Sequence, residues 1–162
     1  MNEKTKDYAK SRREARTLAR LGAVQALYQM EHSGQGVDAT VREFLNHRLG
    51  SELDGVAIRE ADDEFFVDLT RGVVEAQRPI DRLIDRNLRE GWSLKRIDST
   101  ARAILRCGAF EMIRRPDVPA KVVIDEYVEI ANDFFGEGEQ EPKFINGLLE
   151  ACGREARAEE FA

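Results

Sequence analysis

The side chains best placed to do chemistry in this 162-residue sequence are four arginines, Arg12, Arg13, Arg16 and Arg20. On a helix turning about 100° per residue they fall within roughly one quadrant of the surface, so their guanidiniums form a single stripe. No acid is spaced among them to pair at i, i+4, and like charges so placed repel by about 0.2–0.5 kcal/mol per pair. A phosphate backbone is a natural counter-charge, because each guanidinium can donate two parallel hydrogen bonds to one phosphate. A solvated basic helix end gives the same pattern, and on charge patterning alone that plainer reading has the edge.

Other candidates are scattered along the chain. Tyr28 suits stacking on an unpaired base, worth roughly 1–3 kcal/mol in single-strand binders, and equally suits an ordinary core. Lys121 and Lys143 both open expected helices, where free backbone N–H groups already favour anions; a solvated lysine is the alternative. In Phe134-Phe135 one ring is expected in the core and one near a loop where a base could stack, and Phe135 is taken as the RNA-side candidate. Asn146-Gly147 reads as a close helix–helix contact in preference to a ligand site.

Enzyme chemistry finds no foothold. Asp125, Glu126 and Glu129 lack the Glu-x-x-His companion of a di-metal bundle site, and Gly34-Gln35-Gly36 and Gly136-Glu137-Gly138 lack the length and lysine of a phosphate loop. No Gly-x-Ser-x-Gly elbow appears. Cys107 and Cys152 sit in apolar helical contexts, as buried thiols do, and His32 and His47 stand apart from both, so no zinc set forms. The expectation is no catalytic residue, no metal and no cofactor.

Charge is unevenly spread. The net charge is −6, yet residues 1–20 carry seven bases (Lys4, Lys6, Lys10, Arg12, Arg13, Arg16, Arg20) against three acids (Glu3, Asp7, Glu14). A basic N-terminal arm on an acidic body is a common arrangement for reaching nucleic acid, and the acidic body suits a basic protein partner. No run approaches the roughly 20 apolar residues of a bilayer span. The first ten residues contain no apolar signal region, which makes the cytoplasm the expected location.

Periodicity is helical throughout, and the fold class expected is all-α. Ser11 and Glu14 form a capping box opening a helix to about Glu31, and Ser33-Gly34-Gln35-Gly36 ends it. A second helix follows from Asp38 with Val41, Phe44, Leu45 and Leu49 on one side, and Gly50–Arg59 is expected as a loop. A third begins at Asp62 with Phe65, Phe66, Leu69, Val73 and Ala76. Pro79 fits the first turn of a fourth, closed near Gly91, and is the candidate boundary between subdomains of about 11–77 and 79–153. The fifth starts near Asp98, the sixth near Ala120 and the seventh near Lys143. Residues 1–10 and 154–162 are expected to be flexible tails.

Several stretches together carry a resemblance: Arg13-Glu14-Ala15-Arg16 through Ala23-Val24-Gln25-Ala26-Leu27-Tyr28, then Ala103-Ile104-Leu105-Arg106, Val118-Pro119-Ala120-Lys121-Val122-Val123-Ile124-Asp125-Glu126, and Lys143-Phe144-Ile145-Asn146-Gly147-Leu148-Leu149. In this order and spacing, over about residues 11–153, the sequence resembles the NusB family of transcription antitermination factors. The resemblance implies about seven helices in two small subdomains packed as one domain. It also implies binding of boxA-type single-stranded RNA from ribosomal RNA leaders, a heterodimer with ribosomal protein NusE, and a place in the RNA polymerase antitermination complex. Arg12, Arg13, Arg16 and Arg20 match the family's arginine-rich motif, with an insertion-free match from about Arg16 onward. Ala101 replaces the family's usual glutamate before Arg102, and the Gly136–Pro142 loop is longer than in shorter members. Two other classes stand beside this one. One is a helical protein-interaction module, in which a homodimer is open. The other is the NusB-like accessory domain of RNA cytosine methyltransferases, which would need a following cofactor-binding domain.

Overall fold

No glycine or proline interrupts residues 1–21, and in the computed structural model the first helix, α1, runs Glu3–Ser33. The structure describes residues 3–48, 52–53, 56–57 and 61–162, with side chains for residue 3, 11–46 and 61–162. The side chains of Lys4, Lys6, Asp7, Lys10 and His47, and the whole of Leu49, lie outside the described residues. Ser11 and Glu14, expected as a capping box, lie inside α1 instead. Good helix formers precede them, so the box has no helix start to satisfy. Residues 3–10, expected as a tail, are the first turns of that helix. Gly34 ends it with φ +73° and donates its N–H to Met30 O at 2.9 Å, a left-handed stop that glycine makes without strain.

The chain divides into two compact units, residues 1–71 and 72–162. In the first, α2 (Val37–Glu43) continues into a π-helical turn, Phe44–Arg48. Gln29 Nε2 donates to Glu43 Oε2 at 3.1 Å and joins α2 to α1. Asp38 is in the first turn of α2, where its carboxylate pairs with Arg71, and Gly36 takes the cap position expected for it. Within the expected loop, β1 (Glu52–Leu53) and β2 (Val56–Ala57) pair antiparallel, Glu52 opposite Ala57. Asp54-Gly55 between them in sequence is a strong two-residue hairpin signal that a helix-period reading passes over. α3 (Asp63–Glu75) brings Phe66 against Phe44, ring centroids 5.7 Å apart and nearly parallel. Ala19, Ala23, Val24, Ala26, Val41, Ala61, Phe65 and Leu69 are buried in the same unit.

The unit boundary falls within α3, ahead of the expected Pro79. Pro79 is the third residue of α4 (Gln77–Asn87), in its first turn. α5 (Ser99–Arg114), α6 (Ala120–Phe135) and α7 (Gln140–Ala156) pack on one another, and α5 and α7 also pack on α4. Asp98 caps α5 by accepting from Thr100 N and Ala101 N at 2.9 and 3.2 Å. A Cβ on Gly108 would come within 2.8 Å of Leu149, so that glycine sets the approach of α5 and α7. Arg106 donates to both oxygens of Asp81 at 3.0 and 3.1 Å, fixing α5 to α4. Tyr127 Oη donates to buried Glu111 Oε2 at 2.6 Å. Cys107 and Cys152 are free and buried, and burial pushes the Cys152 thiol up to about 12.

The expected C-terminal tail is instead built into this unit. Arg157 is buried and donates to Glu111 O (3.0 Å), Met112 O (2.8 Å), Arg115 O (2.7 Å) and Val118 O (3.0 Å). Among them Met112 O is in the last turn of α5, which leaves its final carbonyls short of helical partners, while Glu111 O and Arg115 O also accept from Arg115 N and Val118 N. Glu160, in the 3₁₀ turn Ala158–Phe161, accepts from Arg157 Nη1 at 2.5 Å and from Ala120 N at 2.9 Å, so one segment closes the end of α5 and the start of α6.

Arg157→Ala is therefore expected to lower unfolding free energy by about 3 kcal/mol, because several buried carbonyls lose a charged donor; urea denaturation measures it. The Ala120 N–H, then Arg157, hold the Glu160 carboxyl below its ordinary value. A depressed carboxylate stabilises above its unfolded pKa and loses that contribution as pH falls through the folded one. The stability gap between wild type and Glu160→Gln should thus close in acid and be fully open at neutral pH.

Candidate nucleic-acid interface

The four arginines of α1 do not share one environment. Arg12 and Arg13 are exposed, and no carboxylate partners either among the described residues. Arg16 is half-buried, its Nε 3.8 Å from Asp62 Oδ2 and its guanidinium carbon 4.6 Å from the centre of the Phe65 ring. Arg20 is 2% exposed and lies 4.9 Å from the same ring. The stripe expected from helical geometry is thus corrected: its C-terminal half is a packing device, and Arg20 is part of the core. A helical wheel places side chains by angle and carries no information on which stretch of the face α3 covers.

The start of α3 explains the division. Asp62 N donates to Ala15 O at 3.0 Å, and Asp62 Oδ1 accepts from Phe65 N at 3.0 Å. The one residue therefore caps α3, ties it to α1 and presents its other oxygen to Arg16. At 3.8 Å the Arg16 contact is an ion pair without a hydrogen bond, and Arg16 Nε has no hydrogen-bond partner among the described residues. Burial, then the neighbouring Asp62, pushes the Asp63 carboxyl above its usual range.

Tyr28 is 42% exposed and tilts against His32 with ring centroids 4.1 Å apart, so it is a surface ring and not a core one. In the second unit, Lys121 is the second residue of α6 and is exposed. Lys143 is exposed but is the fourth residue of α7, because the helix begins at Gln140 and encloses Pro142 in its first turn. Phe134, 47% exposed, is the open ring of its pair, whereas Phe135 is half-buried. The ring expected in the core is thus the more open one, and the RNA-side candidate Phe135 keeps only part of its surface exposed. Gly147, expected at a helix–helix contact, is exposed, and a Cβ there would meet nothing within 4 Å.

The sequence reading missed Trp92 and Phe144. They are 57% and 37% exposed, with ring centroids 6.3 Å apart, and they line a groove of about 520 Å³ with Arg89, Lys143 and Gly147. In the sequence Phe144 reads as one more apolar residue of the seventh helix, beside Ile145, Leu148 and Leu149. Trp92 follows Gly91, whose φ of +88° turns the chain after α4, and an aromatic in such a turn, outside any helical period, was the available signal.

Helices in two units, with exposed cations on the first helix and at the starts of α6 and α7, define an all-α protein with local basic surfaces. Comparison with known proteins makes this specific. A sequence profile of the NusB family matches residues 17–154. The transcription antitermination protein NusB of Caulobacter vibrioides is 56% identical over 147 residues, covering 91% of this chain and 97% of its own. That of Maricaulis maris is 52% identical, with 94% of each chain covered. The solved structure of T. maritima NusB superposes with a TM-score of 0.72 at 33% identity, covering 90% of this chain and 95% of that one. The NusB chain crystallised with NusE and double-stranded RNA matches in fold, with a TM-score of 0.71 at 23% identity, covering 86% and 96%. The chain belongs to the NusB family.

Removing the Phe65 ring should expose the division of the stripe. Phe65→Leu is expected to cost about 1–3 kcal/mol through lost cation–π and packing contacts, while Arg12→Ala and Arg13→Ala should stay within about 0.5 kcal/mol of wild type. Urea denaturation of the three variants checks both.

Proposed function

We propose that this protein is a transcription antitermination factor that binds boxA-type single-stranded RNA together with ribosomal protein NusE, and so sustains ribosomal RNA transcription by RNA polymerase in the cytoplasm. The observation that carries this reading is the pair of exposed guanidiniums, Arg12 and Arg13, unpartnered among the described residues at the basic end of a helix whose middle is buried. Family membership supports it, and so does the acidic balance of the rest of the chain, which suits a basic partner such as a ribosomal protein. Arg16 would contribute its partly exposed edge and hold the helix in place. Lys121 and Lys143 would add cations from the second unit, and Tyr28 a stacking ring. No described helix is long and apolar enough to cross a membrane. The reading needs no catalytic residue, because holding an RNA strand is a binding task.

The test is a titration of labelled boxA-like RNA against a scrambled strand, with and without NusE, over a range of salt. Each phosphate contact on a single strand contributes a slope of about −0.7 to log K against log salt. The double variant Arg12→Ala, Arg13→Ala should weaken binding and flatten the slope by about 1.4 if each arginine neutralises one phosphate. An unchanged affinity and slope would remove the stripe from the interface and favour a protein-interaction module.

A further inference from the structure

The first whole helix of the second unit carries a basic face that the RNA reading leaves unused. Arg78, Arg82 and Arg86 recur at every fourth residue of α4, within about 80° of its surface, and all three are exposed. Arg86 donates to Glu155 Oε2 from Nε at 3.2 Å and from Nη2 at 2.5 Å, and this bonding holds the Glu155 carboxyl below its ordinary value. Neither Arg78 nor Arg82 forms an ion pair among the described residues. The acids of the same helix do not offset them. Asp81 is taken by Arg106, and exposed Asp85 pairs with neither arginine among the described residues. Arg78 also sits in the first turn of α4, which holds no acid, and a cation there opposes the helix macrodipole.

Beside this face a groove of about 430 Å³ opens between α4 and the last turns of α5 and α7, within the roughly 300–1,000 Å³ of ligand sites. Pro79, Leu83, Met112 and Ile113 give it an apolar wall, Arg82 and Arg86 edge it, and no aromatic ring lines it. We propose that this groove docks an acidic peptide segment of a partner protein, an apolar side chain of the segment lying between Pro79 and Ile113 and its carboxylates meeting Arg82 and Arg78. The proposal stands apart from the RNA reading. A wall without rings gives an unpaired base nothing to stack on, whereas it suits a leucine or phenylalanine. Glu155 cancels the charge of Arg86, so the free positive charge is at Arg82 and Arg78, and it sets the direction in which an acidic segment lies. A basic partner would meet only a carboxylate already committed, and an uncharged one would cover Arg82 without supplying a counter-charge.

The test uses the full chain and a labelled peptide with Leu-Phe at its centre and aspartates and glutamates on either side, with binding read by anisotropy. The peptide should bind, less tightly as salt rises. Replacing its Leu-Phe by Ser-Ser, or reversing charge in the protein with Arg78→Glu and Arg82→Glu together, should weaken binding by about tenfold or more. A peptide with lysines in place of the acids should invert this order and bind the double variant better than wild type, which a folding defect would not permit. Affinity for boxA-like RNA should stay within about threefold in the double variant at about 0.15 M salt, where the field of exposed charges fades over about 8 Å. No binding of the acidic peptide at about 1 mM, equal affinity for wild type and the double variant, indifference to the loss of Leu-Phe, or no preference of the lysine peptide for the double variant would each overturn the docking groove. Loss of RNA affinity in the double variant with peptide affinity intact would overturn it too and assign the face to RNA. Each of these failures is separate from failure of the RNA reading, which is read at Arg12 and Arg13.

Discussion

The ring of Phe65 is the point on which the first unit turns. Two guanidiniums, Arg16 and Arg20, lie against it at 4.6 and 4.9 Å, and each such contact is worth about 0.5–2 kcal/mol according to its burial. Asp62 adds the charge that makes two neighbouring cations tolerable so close to a core, and its backbone bond to Ala15 fixes where α3 starts. Repulsion along the stripe is therefore balanced at its inner end by a ring and a carboxylate, and at its outer end, among the described residues, by nothing within the protein. A helix anchored in this way presents its free arginines in a defined direction. That lowers the entropic cost of ordering them on a ligand.

The second unit uses a different means to the same end. Its helices are held by polar locks, the half-buried Arg106–Asp81 pair, the buried Tyr127–Glu111 hydrogen bond and buried Arg157 across the end of α5. Arg157, on Val118 O, and Glu160, on Ala120 N, fix the start of α6, where Lys121 stands. Arg157 resembles the surface arginines in sequence but has the opposite role, donating inward to carbonyls where they face outward. Composition cannot tell the two apart; the difference lies in what the fold brings alongside.

Much of this architecture was legible in the residues. Seven helices follow from apolar periodicity, and Gly34, Asp98 and Pro79 act where their backbone chemistry says they should. Membership of the NusB family could be read from four stretches of motif, because such motifs encode packing and caps that recur in order. What was not legible depended on contacts between residues distant in sequence. The capping box at Ser11 is locally sound, but the helix had already begun. The burial of Arg20 depends on Phe65, forty-five positions away in the numbering. That Phe134 is more open than Phe135 turns on a difference of one residue, about 100° of helix. Arg157 looked like part of a frayed end because its partners, Met112 and Val118, are on other elements.

The most direct measurement follows the arginine side chains themselves, by NMR of their Nε–Hε groups during addition of a single-stranded boxA-like RNA. The account predicts that the Arg12 and Arg13 resonances shift on binding, while that of Arg20 stays in place and exchanges slowly with solvent in both states. A large shift at Arg20 with Arg12 and Arg13 unmoved would contradict it.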